Sequence, residues 1–214
     1  MRPLPIALSV TFVAVLLSGC AGSPASSPAD QAGAGAVPGL MDPIPGIALP
    51  ASPLRSLVPT PQEAPRGMVP LLTSSGPRDL KAVAGFSKDT ATASRALAAH
   101  GFTGAYVVQY ADPADGRVLA VVASRFRDEA GAIADLAADE ASQDGTPVTV
   151  AAIGETTQAR RGPLPGKAGG ELLYLRFRSG KTTWLVAYGA RPTADPSIAT
   201  GLATLLVARA SSAG

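Results

Sequence analysis

The chain has one cysteine, Cys20, and one histidine, His100, in 214 residues. A single cysteine forms no internal disulfide, so the fold is not a disulfide scaffold. With no second imidazole and no thiolate beyond residue 20, the nitrogen and sulfur ligand sets of tight zinc and copper sites are missing, and no metal is expected. An excess of one charge is missing too. The 18 Lys+Arg against 16 Asp+Glu leave no basic stripe of the kind that phosphate backbones require, so nucleic acid is not an expected partner. A serine nucleophile would need a base, and neither Gly-x-Ser-x-Gly nor Ser-x-x-Lys occurs after residue 69, which argues against a familiar hydrolase.

Long hydrophobic runs are scarce as well. An uncharged, mainly apolar stretch follows Arg2 and gives way to Ser18, Gly19 and Cys20. It is short of the ~20 residues that cross a bilayer as a permanent helix, and Ala/Gly/Ser/Pro-rich sequence follows it directly. Residues 1–19 are therefore expected to be a signal peptide. Leu17-Ser18-Gly19-Cys20 resembles the bacterial lipobox. That resemblance implies cleavage before Cys20, a diacylglyceryl thioether on its sulfur, N-acylation as an option, and a membrane partner reached through the anchor on the extracytoplasmic face. Two acyl chains suffice for stable attachment where one is marginal.

Residues 20–68 are dominated by Ala, Gly, Ser and Pro, with Asp30, Asp42, Arg55, Glu63 and Arg66 as the charges. Such a composition buries too little apolar surface to offset its ordering entropy, and its prolines favour extended backbone. The expectation is a lipidated, largely disordered tether. Met41, Ile44, Ile47, Leu49 and Leu54, set among prolines, could instead pack as an extended arm. Residues 69–210 are left for a single globular domain, long enough to bury a core.

Within that domain, a short helix is expected over residues 77–84 and another over 91–100. Asp89 or Thr90 caps the second and Gly101 closes it, with Phe86 and Phe102 folding back onto its ends. Two β runs, residues 105–110 and 118–126, are joined by the turn sequence Asp112-Pro113-Ala114-Asp115-Gly116. Asp128 caps a helix over 129–142 with Ile133, Leu136, Ala137 and Ala141 inward and Asp135, Asp139 and Glu140 on the solvated side. A strand at 148–153, a polar edge segment at 155–160 and a loop at 161–170 come next. The clearest signal is the hairpin of residues 172–178 and 182–188 about Ser179-Gly180. Asp195 caps a last helix, with Pro196 first and Ile198, Leu202, Leu205 and Leu206 as its stripe.

Hairpin-joined strands with few interspersed helices predict an α+β fold, an antiparallel sheet of about five to six strands with helices packed mainly on one face. The pattern loosely resembles small domains of secreted lipoproteins from high-GC Gram-positive bacteria, a composition that Lys at only four positions also suits. The resemblance transfers no activity.

Candidate chemistry is sparse. His100 falls in the last turn of a helix, where an imidazole interacts with free carbonyls. Asp112 and Asp115 lie in a turn, which accounts for aspartate without any acid/base role. Gly162-Pro163-Leu164-Pro165-Gly166-Lys167 has the glycines of a phosphate cradle, but Ala168 stands where Ser or Thr is needed and a hairpin follows in place of a helix. Arg160, Arg161 and Lys167 make the same loop locally basic, a contact for anionic head groups or envelope polymer that Arg176 and Arg178 could join. A solvated loop is the plainer reading. Trp184, Tyr174, Tyr188, Tyr106 and Tyr110 are core by strand preference, or a ligand platform.

No catalytic residue and no cofactor are assigned. The expected function is a non-enzymatic binding or accessory domain that takes an envelope protein or a small ligand on the sheet face opposite the helices. A helix on each face would remove that groove. The alternatives are a sensor subunit of a membrane complex and an enzyme whose carboxylate, arginine or tyrosine site is not local in sequence.

Overall fold

A computed structural model describes residues 49–140, 145–166 and 169–212, with the side chains of residues 139 and 140 left out. Cys20, the signal peptide and the first part of the tether lie outside the described residues, as does Lys167. In chain order the elements begin with β1 (Val69–Pro70), β2 (Gly76–Arg78), α1 (Leu80–Ala84) and α2 (Thr90–Ala99). The long hairpin β3 (Phe102–Ala111) and β4 (Val118–Phe126) follows, then α3 (Glu129–Glu140). After β5 (Thr146–Pro147) come β6 (Thr156–Pro163), β7 (Glu171–Ser179), β8 (Thr182–Ala190) and α4 (Pro196–Ser212).

All pairings are antiparallel, in the order β1-β3-β4-β8-β7-β6-β5, with β2 next to β1 along β3. The fold is thus α+β. The described residues form eight strands rather than five to six, because the short edge pieces β1 and β2 carry too few residues to show a period. Three helix starts are set by the aspartates expected to set them. Asp89 accepts from the Thr92 N–H at 3.0 Å, Asp128 from Gly131 at 2.8 Å, and Asp195 from Ser197 at 2.9 Å. Each thereby satisfies a backbone donor that the first helical turn leaves open.

Some local readings change. The tight turn between β7 and β8 is Gly180-Lys181, since Ser179 still pairs with Thr182. Gly180, at φ +53°, takes the left-handed position that this turn requires. No strand forms at the expected residues 148–153; β5 lies just before them, and Val148 adds one bond to the Ala159 carbonyl. The Thr157 hydroxyl meets both the Ile153 N–H and the Ile153 carbonyl at 2.7 Å, a side-chain substitute for sheet pairing. Among the described residues of α3, Gly131, Ala132 and Leu136 are buried, Ile133 and Ala137 of the expected stripe are exposed, and Ala141 lies outside the described residues. Gly131 sets that rotation, because a Cβ there would lie 1.9 Å from the His100 carbonyl oxygen. In α4 the stripe is Ala199, Leu202, Ala203 and Leu206, with Leu205 outside it. Its alanines allow a close approach to the sheet.

Helices pack on both faces of the sheet, and β8, at its centre, is buried along its whole length. On one face Tyr106, Val108, Leu119, Val121, Leu175 and Trp184 pack with α4 and with Leu57, Val58 and Met68. The last three residues belong to the segment expected to be tether. From residue 49 onward that segment lies on the domain as an arm, so the folded unit starts about twenty residues before Val69. Extended Pro-rich backbone cannot satisfy its own carbonyls, and here the sheet does so. The Tyr106 hydroxyl donates to the Pro50 carbonyl at 2.7 Å, the Tyr110 hydroxyl to Pro59 at 2.9 Å, and Trp184 Nε1 to Leu57 at 2.8 Å. Arg209 of α4 adds donations to the Ser56 and Val58 carbonyls and an ion pair with Glu63.

On the opposite face α1, α2 and α3 pack around Ala84, Ala93, Leu97, Phe126 and Ala132. Val83 and Phe86 extend this layer over Ala105, Val107, Val122 and Leu185. These helices are short and end there. The strand positions nearer the β3–β4 turn are left without a helix.

Candidate functional site

The uncovered part of that face is floored by small side chains. Side chains alternate across a strand, so Gln109 and Ala111 of β3 share the face with Val118 and Ala120 of β4 and Ala187 of β8, in register as Gln109↔Ala120 and Ala120↔Ala187. The loop after β6 closes one side. Leu164 is buried against Ala120, Leu172 and Ala187, and Gly189 makes room for it, since a Cβ at 189 would lie 2.5 Å from Leu164 Cδ1. Pro165 and Gly166 then overhang the floor, and Val69 and Leu71 form the other wall. The result is a cavity of about 390 Å³, within the size range of small-molecule sites.

Three polar side chains reach this apolar space. Asp112 and Arg117 sit at the turn end as a closed pair. Arg117 Nε donates to Asp112 Oδ2 at 3.1 Å, and its Nη2 makes a second contact with the same oxygen and donates to the Arg66 carbonyl at 2.8 Å. Asp112 Oδ1 accepts from the Ala114 and Asp115 N–H groups. The hydrogen bond from Arg117, helped by those two amides, holds the Asp112 carboxyl below its ordinary range. A carboxylate so held keeps its charge at neutral pH and is a poor general acid. Gly67, at φ +88°, carries the arm past this pair, and a Cβ there would lie 2.9 Å from Asp112 Oδ2.

Gln109 is the third. It is 3% exposed. Its backbone is fully used, the N–H donating to Ser75 Oγ at 3.0 Å and the carbonyl accepting from Leu71 at 2.8 Å. Its side-chain carboxamide makes no hydrogen bond to any described residue, and the residue lines the cavity. In the sequence the only signal is one amide in the apolar run Ala105-Tyr106-Val107-Val108-Gln109-Tyr110, which alternation alone does not distinguish from an edge-facing polar residue.

Of the basic residues expected to form an anion contact, Arg160 and Arg161 do not converge, and Lys167 lies outside the described residues. Arg160 and Arg161 are neighbours on β6 and so point to opposite faces. Arg160 donates to the Gly145 carbonyl at 2.9 Å, and Arg161 pairs with Glu171 at 3.1 Å. Arg176 pairs with Asp135 at 3.2 Å and Arg178 with Glu155. Asp135, expected on the solvated side of α3, accepts as well from the Thr183 hydroxyl at 3.2 Å and pins the helix to the sheet. Asp115 stays exposed beside Arg117. His100 ends α2 as expected, and its Nδ1 is buried without a hydrogen-bond partner. Trp184, Tyr106, Tyr110 and Tyr188 are core, on the arm face; Tyr174, on the cavity face, packs between the helices and the floor of small residues.

No protein-family model matches the chain, and no curated protein matches it. A solved structure, "Crystal structure of the extracellular domain of PknH from Mycobacterium tuberculosis", is similar at a TM-score of 0.47 and 14% identity, covering 73% of this chain and 94% of that one.

Among the described residues no three His, Cys, Asp or Glu side chains come together as a metal site, and no helix is long and apolar enough to cross a membrane. The groove expected opposite the helices is filled by α4 and the arm. A cavity exists instead on the face that carries α1, α2 and α3, in the part they do not reach.

Proposed function

We propose that this chain is a lipid-anchored envelope protein, held on the extracytoplasmic face through Cys20, and that its domain is a non-enzymatic binder of a small, largely apolar ligand. The cavity beside Gln109 carries this reading. Apolar walls supply affinity through the area they remove from water. Among the described residues the charges at its rim are Asp112 and Arg117, spent on each other and on turn and arm backbone, so neither is free to act as base or acid on a bound molecule.

Native mass spectrometry of the mature chain isolated from its own membranes tests the proposal. The expected result is a bound mass that is released on unfolding and is lost in Ala111→Phe, whose ring would occupy the open space rather than a packed layer. No bound mass, or equal retention by the variant, overturns the assignment of this cavity.

A further inference from the structure

Resting on the cavity reading above, we infer that the ligand is an uncharged molecule with an amide-like group on an apolar body, and that Gln109 selects it by pairing with that group. The inference stands on the side chain the fold leaves unserved. A carboxamide carries two N–H donors and an acceptor oxygen, and in water all are bonded. Gln109 is 3% exposed, and its carboxamide, which makes no hydrogen bond to a described residue, keeps its polar atoms open to the cavity. Such a group is hydrated only through the cavity, so a ligand that displaces that water without replacing its hydrogen bonds strands it, and a leucine would fill the same volume without that need. The neighbours cannot serve it. Ala111, Ala120 and Ala187 carry no polar side-chain atoms, and Ser75 is already engaged with the backbone of Gln109 and the Leu71 carbonyl.

The partner that completes a carboxamide is another group with donor and acceptor side by side, such as a primary or secondary amide or a lactam. A carboxylate offers acceptors alone and brings a charge into a space where Arg117 is already neutralised by Asp112. A hydrocarbon fills the walls but leaves the amide unmade. Sites built to pair a polar group discriminate strongly against analogues that lack it, because their own polar atoms are then stranded.

Three probes of one shape separate these cases by NMR titration of the full mature chain: cyclohexanecarboxamide, cyclohexanecarboxylate and methylcyclohexane. The expected result is that the amide binds at least about tenfold more tightly than either analogue, with shifts at Gln109, Ala120 and Ala187. In Gln109→Leu that preference should vanish while methylcyclohexane binding is kept. Without ligand, Gln109→Leu should melt no lower than the unaltered chain. Equal binding of amide and hydrocarbon, or a preference for the carboxylate, overturns the selection by Gln109 and leaves the cavity reading in place. Failure of all three probes to bind overturns both. A lower melting point for unliganded Gln109→Leu would show that the fold itself satisfies the amide and would likewise overturn the inference; the comparison of probes on the unaltered chain stands whether or not the variant folds.

Discussion

Trp184 Nε1 donates to the carbonyl of Leu57 at 2.8 Å across 127 positions of sequence, joining the central strand of the sheet to an arm that has little core of its own. The indole also stacks on Phe177, ring centroids 5.2 Å apart. Trp184→Phe keeps an aromatic ring for that stack and removes the donor, leaving a buried carbonyl unserved, at a cost of about 1–3 kcal/mol. Urea unfolding of the two proteins checks this. A chain shortened to begin at Leu49 should keep the same midpoint, and one shortened to begin at Val69 should lose cooperative unfolding, because Leu57, Val58 and Met68 leave the core with the arm.

Asp135 offers a second point of leverage. Its carboxylate takes Arg176 from β7 and Thr183 from β8 at 3.2 Å each, in a place where both ionic partners are mostly buried. Asp135→Ala removes the carboxylate from a guanidinium held against the sheet, and truncating one member of such a pair costs about 3 kcal/mol or more. Unfolding near 1 kcal/mol, the worth of a surface pair, would show that water already reaches the site.

These two contacts mark where reading the sequence runs out. The β3–β4 and β7–β8 hairpins, the caps at Asp89, Asp128 and Asp195, and the α+β class were all legible, because turn residues, caps and alternation act within a few positions of each other. The arm was not. Its Ala/Pro/Ser/Gly composition is that of a tether, and it is ordered by donors that lie over fifty positions away in Tyr106 and Tyr110 and further still in Trp184 and Arg209. The rotation of α3 was missed for a related reason, since a glycine contact with the His100 carbonyl decides it and not hydrophobic content. The cavity was missed because it depends on what is small: Ala111, Ala120 and Ala187 read as ordinary strand residues, and only the absence of a helix above them turns them into a floor.

Acid should weaken the arm and the turn in a defined way. Burial pushes the Glu63 carboxyl up, but hydrogen bonds from Thr60 and the charge and hydrogen bond of Arg209 outweigh it and hold it below its ordinary value. Asp112 is lowered chiefly by Arg117. Both folded values lie under the unfolded ones of about 4.3 for Glu and 3.9 for Asp. Each group therefore stabilises the fold above roughly pH 4–5, and loses that contribution as the pH falls through its folded value. Glu63→Gln and Asp112→Asn should each be less stable than the unaltered chain at pH 7, and the difference should narrow towards pH 3. A difference that stays constant with pH would show that the variants act through packing and not through charge.

Gly189 tests how the cavity wall is held. A Cβ there would lie 2.5 Å from Leu164 Cδ1 and 2.8 Å from Val118 Cγ2, both packed side chains with little freedom to move. Gly189→Ala should cost about 1–3 kcal/mol by overpacking, and relief by expelling Leu164 would release Pro165 and Gly166 from above the floor. Gly189→Ala with Leu164→Ala should recover part of the stability and none of the binding. Hydrogen exchange at the Leu164 amide, which donates to the Gly170 carbonyl at 3.0 Å, reports the loop directly, and unchanged protection in the single variant would show that the wall does not depend on this contact.

Cys20→Ser addresses the anchor without touching the domain. The diacylglyceryl group implied by Leu17-Ser18-Gly19-Cys20 would contribute about 0.8 kcal/mol for each buried methylene, more than enough to keep the chain on the membrane, and nothing else among the described residues offers a span. The variant should move from the membrane fraction to the soluble fraction while its unfolding midpoint, measured on the purified chain, stays that of the unaltered protein. If it remains with the membrane, the attachment lies elsewhere, and an apolar surface of the domain, with Val69 exposed at the cavity wall, becomes the place to look for it.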